Sequence, residues 1–331
     1  MRPSLIEHNT GRFAPSPTGR MHLGNVLCAL LSWLSARSQG GRWLLRIEDI
    51  DAQRCHRDYA LQLMDDLDWL GLHWDGEPLW QSRRSDVYEH YYTLLVQQHM
   101  TYPCYCTRAD LLATQAPHES DGRVVYPGTC RPANKSSHGR PSDTVPDGLA
   151  GATGQRGATR AAATRLIVPN RDITFTDRHY GPQTVNLERQ VGDFIIRRKD
   201  GAWAYQLAVV VDDALSGVTE VVRGRDLLLS TPQQIYLAQR LGFREPAFAH
   251  HPLLCNAAGQ RLSKRDSSTD MAYLRERFTA QQIIGFLAHA AGLRQDMAPA
   301  TPNQLLADFG WSKVSHQDIR IKGLTLNKHG N

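Results

Sequence analysis

Residues 11–28 read Gly11-Arg12-Phe13-Ala14-Pro15-Ser16-Pro17-Thr18-Gly19-Arg20-Met21-His22-Leu23-Gly24-Asn25-Val26-Leu27-Cys28. Residues 11–15 form a short strand that proline ends. Pro15 and Pro17 forbid an immediate helix, and Gly19 loosens the turn. A helix opens at about His22, because Leu23, Val26, Leu27, Leu30, Leu31 and Leu34 recur at helical spacing on one face. Gly40 and Gly41 end it. Residues 43–47 (Trp-Leu-Leu-Arg-Ile) read as a buried strand. One further helix turns Ala60, Leu63, Met64, Leu67 and Leu70 inward, and another spans residues 84–99. Strand–helix–strand–helix order predicts a Rossmann-like α/β fold, a parallel sheet covered by helices.

The same opening stretch carries chemistry. A helix N-terminus presents free N–H groups and positive potential, which suit phosphate. His22 can donate hydrogen bonds to phosphate oxygens there. Gly24 removes a side chain where a nucleotide would lie against the backbone, with Asn25 beside it. A second cluster, Arg261-Leu262-Ser263-Lys264-Arg265, follows the turn at 256–259. Lys264 on such a loop can meet charge developing on a phosphoryl group. Taken singly, a histidine at a helix start and cations in a loop are ordinary surface.

Three of the six cysteines, Cys104, Cys106 and Cys130, lie close together in the sequence. Three thiolates suit Zn²⁺, which prefers four tetrahedral ligands. On generic grounds His118 or His138 could supply the fourth. Without a secretion signal a disulfide framework is not indicated.

Composition excludes some classes. No run of 18 apolar residues occurs and the first twelve residues carry no signal-like apolar stretch, so the chain reads as cytoplasmic. The formal net charge of +5 among 331 residues fits a polyanionic partner only weakly. Residues 132–163, rich in Gly, Ser, Thr, Ala and Pro, cannot bury enough surface to order themselves and read as a mobile, slightly basic loop. Order resumes with a strand at 193–197, a helix at 203–213, a strand at 219–223 and a helix at 230–241. A capping signal, Thr279 to Gln282, opens another helix ending near Ala291. The C-terminal third therefore reads as helical.

Together the first two clusters resemble the two signatures of class I aminoacyl-tRNA synthetases. Arg12 to Gly19, Arg46-Ile47-Glu48-Asp49-Ile50-Asp51, Val210-Val211-Asp212-Asp213 and Val222-Arg223-Gly224 resemble the glutamyl/glutaminyl branch. The resemblance implies a Rossmann-like catalytic domain split by a zinc-binding insertion. Its expected parts are 1–101 (first catalytic half), 102–190 (acceptor insertion with its loop), 191–255 (second half) and 256–331 (signature loop and helical part). It implies that Arg12 takes the side-chain carboxylate of L-glutamate, Arg223 the α-carboxylate and Glu48 the α-ammonium. Phe13, Ala14, Pro15, Ser16 and Tyr205 match further pocket positions. His22, Gly24, Asn25 and Lys264 would hold ATP, with Mg²⁺ bridging its phosphates, and His22 and Lys264 would be catalytic. Arginine forks suit carboxylates on physical grounds too, since they pair bidentately. Tyr126 becomes the implied fourth zinc ligand, in a Cys-x-Cys…Tyr-x-x-x-Cys pattern, the zinc being structural. Asn25 stands where the first signature has histidine. Arg261 and Arg265 flank the second signature where relatives often have Lys and Ser.

An anticodon-reading domain needs roughly 100 residues or more, and only 39 follow Gly292. The chain therefore resembles the truncated glutamyl-Q tRNA(Asp) synthetases. Those enzymes activate glutamate without tRNA and transfer it to queuosine at the first anticodon position of tRNA(Asp). The alternatives are a shortened enzyme charging the 3′ end of tRNA(Glu), an inactive RNA-binding paralogue, and a small-molecule nucleotidyltransferase. No obligate protein partner is indicated, and the default is a monomer.

Overall fold

The computed structural model describes residues 9–107, 125–132, 161–262 and 269–321. The expected loop, for residues 133–160, lies outside the described residues, as do Lys264, Arg265, His118 and His138.

Strand β1 (Thr10–Phe13) leads through the proline turn into helix α1 (Leu23–Arg37), then strand β2 (Arg42–Ile47), helix α2 (Arg57–Trp69) and the short strand β3 (Leu79–Trp80). β1, β2 and β3 pair in parallel, with Thr10 opposite Arg42 and Arg46 opposite Leu79. The α1 stripe of Leu23, Val26, Leu27, Leu30, Leu31 and Leu34 is buried, as its spacing predicts. Helix α3 (Ser85–Gln97) follows, and the chain enters strands β4 (Thr101–Cys104) and β5 (Ala163–Leu166).

Strands β6 (Asp172–Asp177) and β7 (Gly181–Asn186) form a hairpin, and β8 (Phe194–Arg197) follows it. Helix α4 (Tyr205–Leu215), strand β9 (Glu220–Gly224), helix α5 (Thr231–Leu241) and strand β10 (Ala247–His251) complete the second half. β9, β10 and β6 run parallel to one another, and β7 antiparallel to β6, in the spatial order β7-β6-β10-β9. The two halves meet where β1 lies beside β9: the Thr219 amide donates to the Thr10 carbonyl at 2.9 Å. A buried acid, Glu220, anchors α1 over this seam by accepting the Ser35 hydroxyl at 2.7 Å and pairing with Arg178.

β5 is flanked by antiparallel β4 and β8, giving a small sheet beside the parallel one. Pairing thus crosses residue 190: β6 and β7, before it, join β9 and β10, whereas β8, after it, joins β4 and β5. Helix α4 starts at Tyr205, two residues later than its apolar run suggests. Trp203 bridges to Arg197, and the Ala204 amide donates to the Ile196 carbonyl at 3.1 Å, so both residues are held in extended pairing.

Beyond β11 (Leu254–Cys255) come α6 (Met271–Arg275) and α7 (Ala280–Ala290), the latter opened by the reciprocal Thr279–Gln282 capping box. The described chain then ends in a strand, β12 (Ile319–Arg320), which pairs in parallel with β11. Asp318, just before it, accepts Nε and Nη2 of the Arg225 guanidinium, each at 2.6 Å, and the Leu253 amide at 2.9 Å. The C-terminal segment therefore straps the stem of the second-signature loop. No helix among the described residues is long and apolar enough to cross a membrane.

Gly285 offers a test of the α7 packing. A Cβ there would sit 2.2 Å from the Ala298 carbonyl oxygen. Helix propensity alone makes Gly285→Ala stabilising by about 1 kcal/mol. The clash reverses the sign, and we expect a loss of about 1–3 kcal/mol, read by urea unfolding. A stabilised variant would show that residues 298–300 do not pack on α7 in solution.

Candidate active site

The turn after β1 is closed by the Glu48 amide, which donates to the Pro15 carbonyl at 3.0 Å. This brings the end of β2 against the proline turn. His22 then caps α1: its Nδ1 accepts the Gly24 amide at 3.1 Å, and Asn25 Oδ1 accepts the His22 amide at 3.1 Å. Because Nδ1 accepts, the proton of the neutral ring sits on Nε2. The absent side chain of Gly24 has a local reason, since a Cβ would stand 2.9 Å from the His22 ring. Asn25, the departure from the signature, completes a reciprocal cap.

Behind the turn lies a buried charge cluster. Asp213, on α4, accepts Arg12 Nε at 3.2 Å and Arg46 Nη1 at 2.6 Å. Arg46 also donates to Glu48 Oε1 at 3.2 Å, and Arg12 to the Val222 carbonyl at 3.1 Å. Arg223 differs. Only 4% exposed, it donates to His250 Nε2 at 3.0 Å, Gln234 Oε1 at 2.7 Å and Thr231 Oγ1 at 2.8 Å. These partners are neutral, and among the described residues no carboxylate pairs with Arg223.

Three guanidiniums therefore face two carboxylates, Asp213 and Glu48, leaving one positive charge in excess. Burial raises the Asp213 pKa, but Arg46 and Arg12 outweigh it and hold the acid below its ordinary value. Burial dominates at Glu48 and pushes its pKa up despite Arg46 and Arg12. Burial, aided by Arg12, lowers that of Arg223. A site with an excess cation and a carboxylate that is costly to ionise suits a ligand with carboxylates and one ammonium.

A cavity of about 480 Å³ opens over this cluster. Arg12, Phe13, Ala14, Pro15, Ser16, His22, Gly24, Asn25, Glu48, Tyr205 and Arg223 all line it. They are all of the described residues singled out for glutamate and ATP; Lys264 lies outside the described residues. The stem of its loop is present: Leu262 donates to the Leu254 carbonyl at 2.9 Å, and Arg261 pairs with Asp226 at the cavity rim. Arg46 and Asp213 lay inside quoted motifs but carried no assigned role. Thr231, Gln234 and His250 gave no sequence signal, since each is an ordinary polar residue that topology alone brings to Arg223.

The cysteine cluster sits at the end of β4. Cys106 and Cys130 Sγ are 3.6 Å apart, and the Tyr126 hydroxyl lies 3.6 Å from Cys104 Sγ and 4.0 Å from Cys106 Sγ. Tetrahedral zinc at 2.3 Å from sulfur requires ligand separations of about 3.8 Å, so the donor set fits that ion. Arg165 donates to Cys104 Sγ at 3.2 Å and stacks 3.6 Å over the Tyr126 ring. Burial raises the Cys104 pKa, but Arg165, the Cys106 amide and Tyr126 together bring it down to about 7. Gly192, with φ of +71°, admits this chain, because a Cβ there would meet the Tyr126 backbone at 2.9 Å. A second cavity of about 320 Å³ runs from Tyr126 to Tyr205, so it shares one wall residue with the first.

Residues 9–325 match the family of class I tRNA synthetases (E and Q), catalytic domain. A glutamyl-Q tRNA(Asp) synthetase of Thiobacillus denitrificans is 45% identical over 89% of this chain and 90% of its own length. One of Symbiobacterium thermophilum is 42% identical over 96% of this chain and 97% of its own. The crystal structure of a glutamate tRNA ligase from Elizabethkingia meningosepticum, in complex with its amino acid, superposes with a TM-score of 0.76. Its sequence identity is 27%, covering 96% of this chain and 68% of that one.

The charge cluster makes a prediction about stability. Asp213→Asn leaves two buried guanidiniums without their shared counter-charge, at a cost of about 3–5 kcal/mol at neutral pH. Because its folded pKa is lowered, the contribution of Asp213 is present above the ordinary carboxylate pKa. It is lost as pH falls through the lowered value. Urea unfolding of both proteins should therefore converge in acid. A neutral-pH difference below about 1 kcal/mol, the scale of an exposed pair, would contradict a load on this carboxylate.

Proposed function

The chain belongs to the glutamyl-Q tRNA(Asp) synthetases, within the class I synthetases of the glutamate and glutamine type, and on that premise we propose that it activates L-glutamate with ATP and transfers the glutamyl group to queuosine of tRNA(Asp). The observation that carries the reading is the cavity of about 480 Å³ beside a capped helix N-terminus, which opens over a buried cluster where Arg12, Arg46 and Arg223 outnumber Asp213 and Glu48. Glutamate carries net charge −1 and would neutralise that excess.

In the first step the α-carboxylate oxygen of glutamate attacks the α-phosphorus of ATP. The bond to the bridging oxygen of pyrophosphate breaks, and glutamyl-adenylate remains. No protein nucleophile is required, so catalysis rests on positioning and electrostatics. In this reading Arg223 holds the α-carboxylate, Arg12 the side-chain carboxylate and Glu48 the ammonium. Phe13, Ala14, Pro15, Ser16 and Tyr205 shape the pocket around them. His22 Nε2–H and Lys264 meet the phosphates beside Gly24 and Asn25, and Mg²⁺ arrives with the nucleotide. In the second step a hydroxyl of the queuosine cyclopentenediol attacks the acyl carbon, AMP departs, and the hydroxyl proton passes to solvent. Vicinal hydroxyls on a five-membered ring resemble a terminal ribose, so one adenylate chemistry serves either acceptor. Cys104, Cys106, Tyr126 and Cys130 would hold a structural zinc, which braces the small sheet beside the second cavity. The enzyme would work in the cytoplasm, as a monomer.

The acceptor is tested with labelled glutamate and ATP. Transfer should occur to tRNA(Asp) bearing queuosine, survive deletion of the CCA end, and vanish when the first anticodon position carries guanosine. Charging of tRNA(Glu) that depends on its 3′ end would replace this reading with the ordinary synthetase.

The metal is tested by elemental analysis of protein purified without chelators, which should contain one zinc per chain. Structural zinc supplies roughly 10–16 kcal/mol in small domains. Cys130→Ser should therefore raise amide exchange in β4, β5 and β8 well before the parallel sheet. Zinc-free protein with an equally protected insertion would remove the metal from the account.

A further inference from the structure

We infer that Asp177 and His250 are positioning residues that present Arg223 to the carboxylate of the amino-acid substrate. The inference rests on the proposed reading of Arg223 as a carboxylate-binding residue.

The relay is built by strand register. β10 lies between β6 and β9, with His250 directly opposite Arg223 on one side and Phe248 opposite Asp177 on the other. Asp177 Oδ2 stands 2.6 Å from His250 Nδ1. Its other oxygen accepts the amides of His179 at 3.0 Å, Tyr180 at 2.9 Å and His250 at 3.2 Å. A carboxylate so supplied with donors is ionised and can only accept. The Nδ1 of His250 must therefore carry the ring proton. That leaves a lone pair on Nε2, and Arg223 Nε–H points at it from 3.0 Å. His250 is fully buried, so solvent cannot exchange the tautomer at low cost.

The choice of histidine has a physical reason. A carboxylate in its place would orient Arg223 equally well, but it would cancel the charge and compete with the substrate carboxylate. A neutral imidazole polarised by Asp177 fixes the guanidinium plane and leaves its charge available. Thr231 and Gln234, also neutral, hold one bond on each terminal nitrogen. The remaining donors of the fork are left to Tyr205 and the cavity. Orientation and neutralisation are thereby assigned to different groups: protein supplies the first, substrate the second.

The test is ATP–pyrophosphate exchange with glutamate and no tRNA. His250→Leu removes the acceptor and should raise the KM for glutamate roughly tenfold or more, the scale of a hydrogen bond to a charged group. The KM for ATP should stay within about twofold, since the nucleotide contacts lie elsewhere. His250→Gln, whose amide oxygen can still accept from Arg223, should recover most of the loss. Asp177→Asn conserves shape but donates to Nδ1, which moves the ring proton to Nε2 and turns a donor against Arg223. It should raise the glutamate KM as well, and it provides the reading if His250→Leu does not fold. Arg223→Ala is the control that separates the two claims. If it leaves the glutamate KM unchanged, the reading of Arg223 fails. If it raises the KM while Asp177→Asn leaves it unchanged, or while His250→Leu raises both KM values together, the relay is wrong.

Discussion

The carboxylate of Asp213 is the point from which the site is organised. It is buried on α4 and takes a guanidinium from β1 and another from β2. Two adjacent strands and the helix packed against them are thus tied at one atom, Oδ1. Its neighbour Asp212 repeats the arrangement toward α3, accepting Gln81 at 2.8 Å, Arg84 at 2.7 Å and the Tyr88 hydroxyl at 2.7 Å. Buried ion pairs seldom add net stability over apolar packing of equal volume, because desolvation offsets the attraction. Their value here is orientation. Arg12, Arg46 and Glu48 cannot turn without breaking a bond to a group that has no solvent to replace it.

The surroundings serve the same constraint. The proline turn cannot continue as helix, so the chain reverses direction before His22 and exposes the α1 N-terminus to the cavity. β1 and β9 lie side by side, Arg12 donates to the Val222 carbonyl, and Arg223, the next residue of β9, lines the same cavity. On the far wall the C-terminal segment acts through Asp318, whose paired bonds to Arg225 and bond to the Leu253 amide fix the stem leading to Arg261. An exposed pair of this kind contributes little energy alone. Joined to the β11–β12 pairing, it limits where the second-signature loop can begin.

Much of this was legible in the sequence, and what was legible follows a pattern. The stripe of α1, the proline turn and the capping box of Thr279 are local: each needs only a short stretch of sequence to be read, and the cysteine cluster shows by residue type. The residues proposed to hold glutamate could be picked out together because most fall within compact motifs, and the fold sets them on one cavity wall. What escaped was made by long-range pairing. β6 alternates at Ile173 and Phe175, but nothing local to it says that its pairing with β10 delivers Asp177 to His250. β12 has two residues and exists only because β11 is there to receive it. Gly24 illustrates a subtler limit: its importance could be read, but its local reason, room for the His22 ring, required the rotamer.

Arg12 and Arg223 show how one residue type can be set to different tasks. Arg12 shares Asp213 with Arg46 and keeps only part of its charge for a ligand. Arg223 has neutral partners among the described residues and keeps all of it, at the cost of a buried cation. On the proposed reading, the more strongly charged fork would take the carboxylate that reacts and the weaker one the carboxylate that identifies the side chain. The first must hold an anion while it approaches a polyphosphate of the same sign, which demands an undiminished cation. The second must distinguish a side-chain carboxylate from an amide. A partly neutralised fork suits that task, because strong attraction for any anion would hold phosphate as readily as glutamate. On the same reading glutamine, carrying no net charge, would leave the excess cation uncompensated, and selectivity for the acid would follow from the imbalance of charge that draws the substrate in.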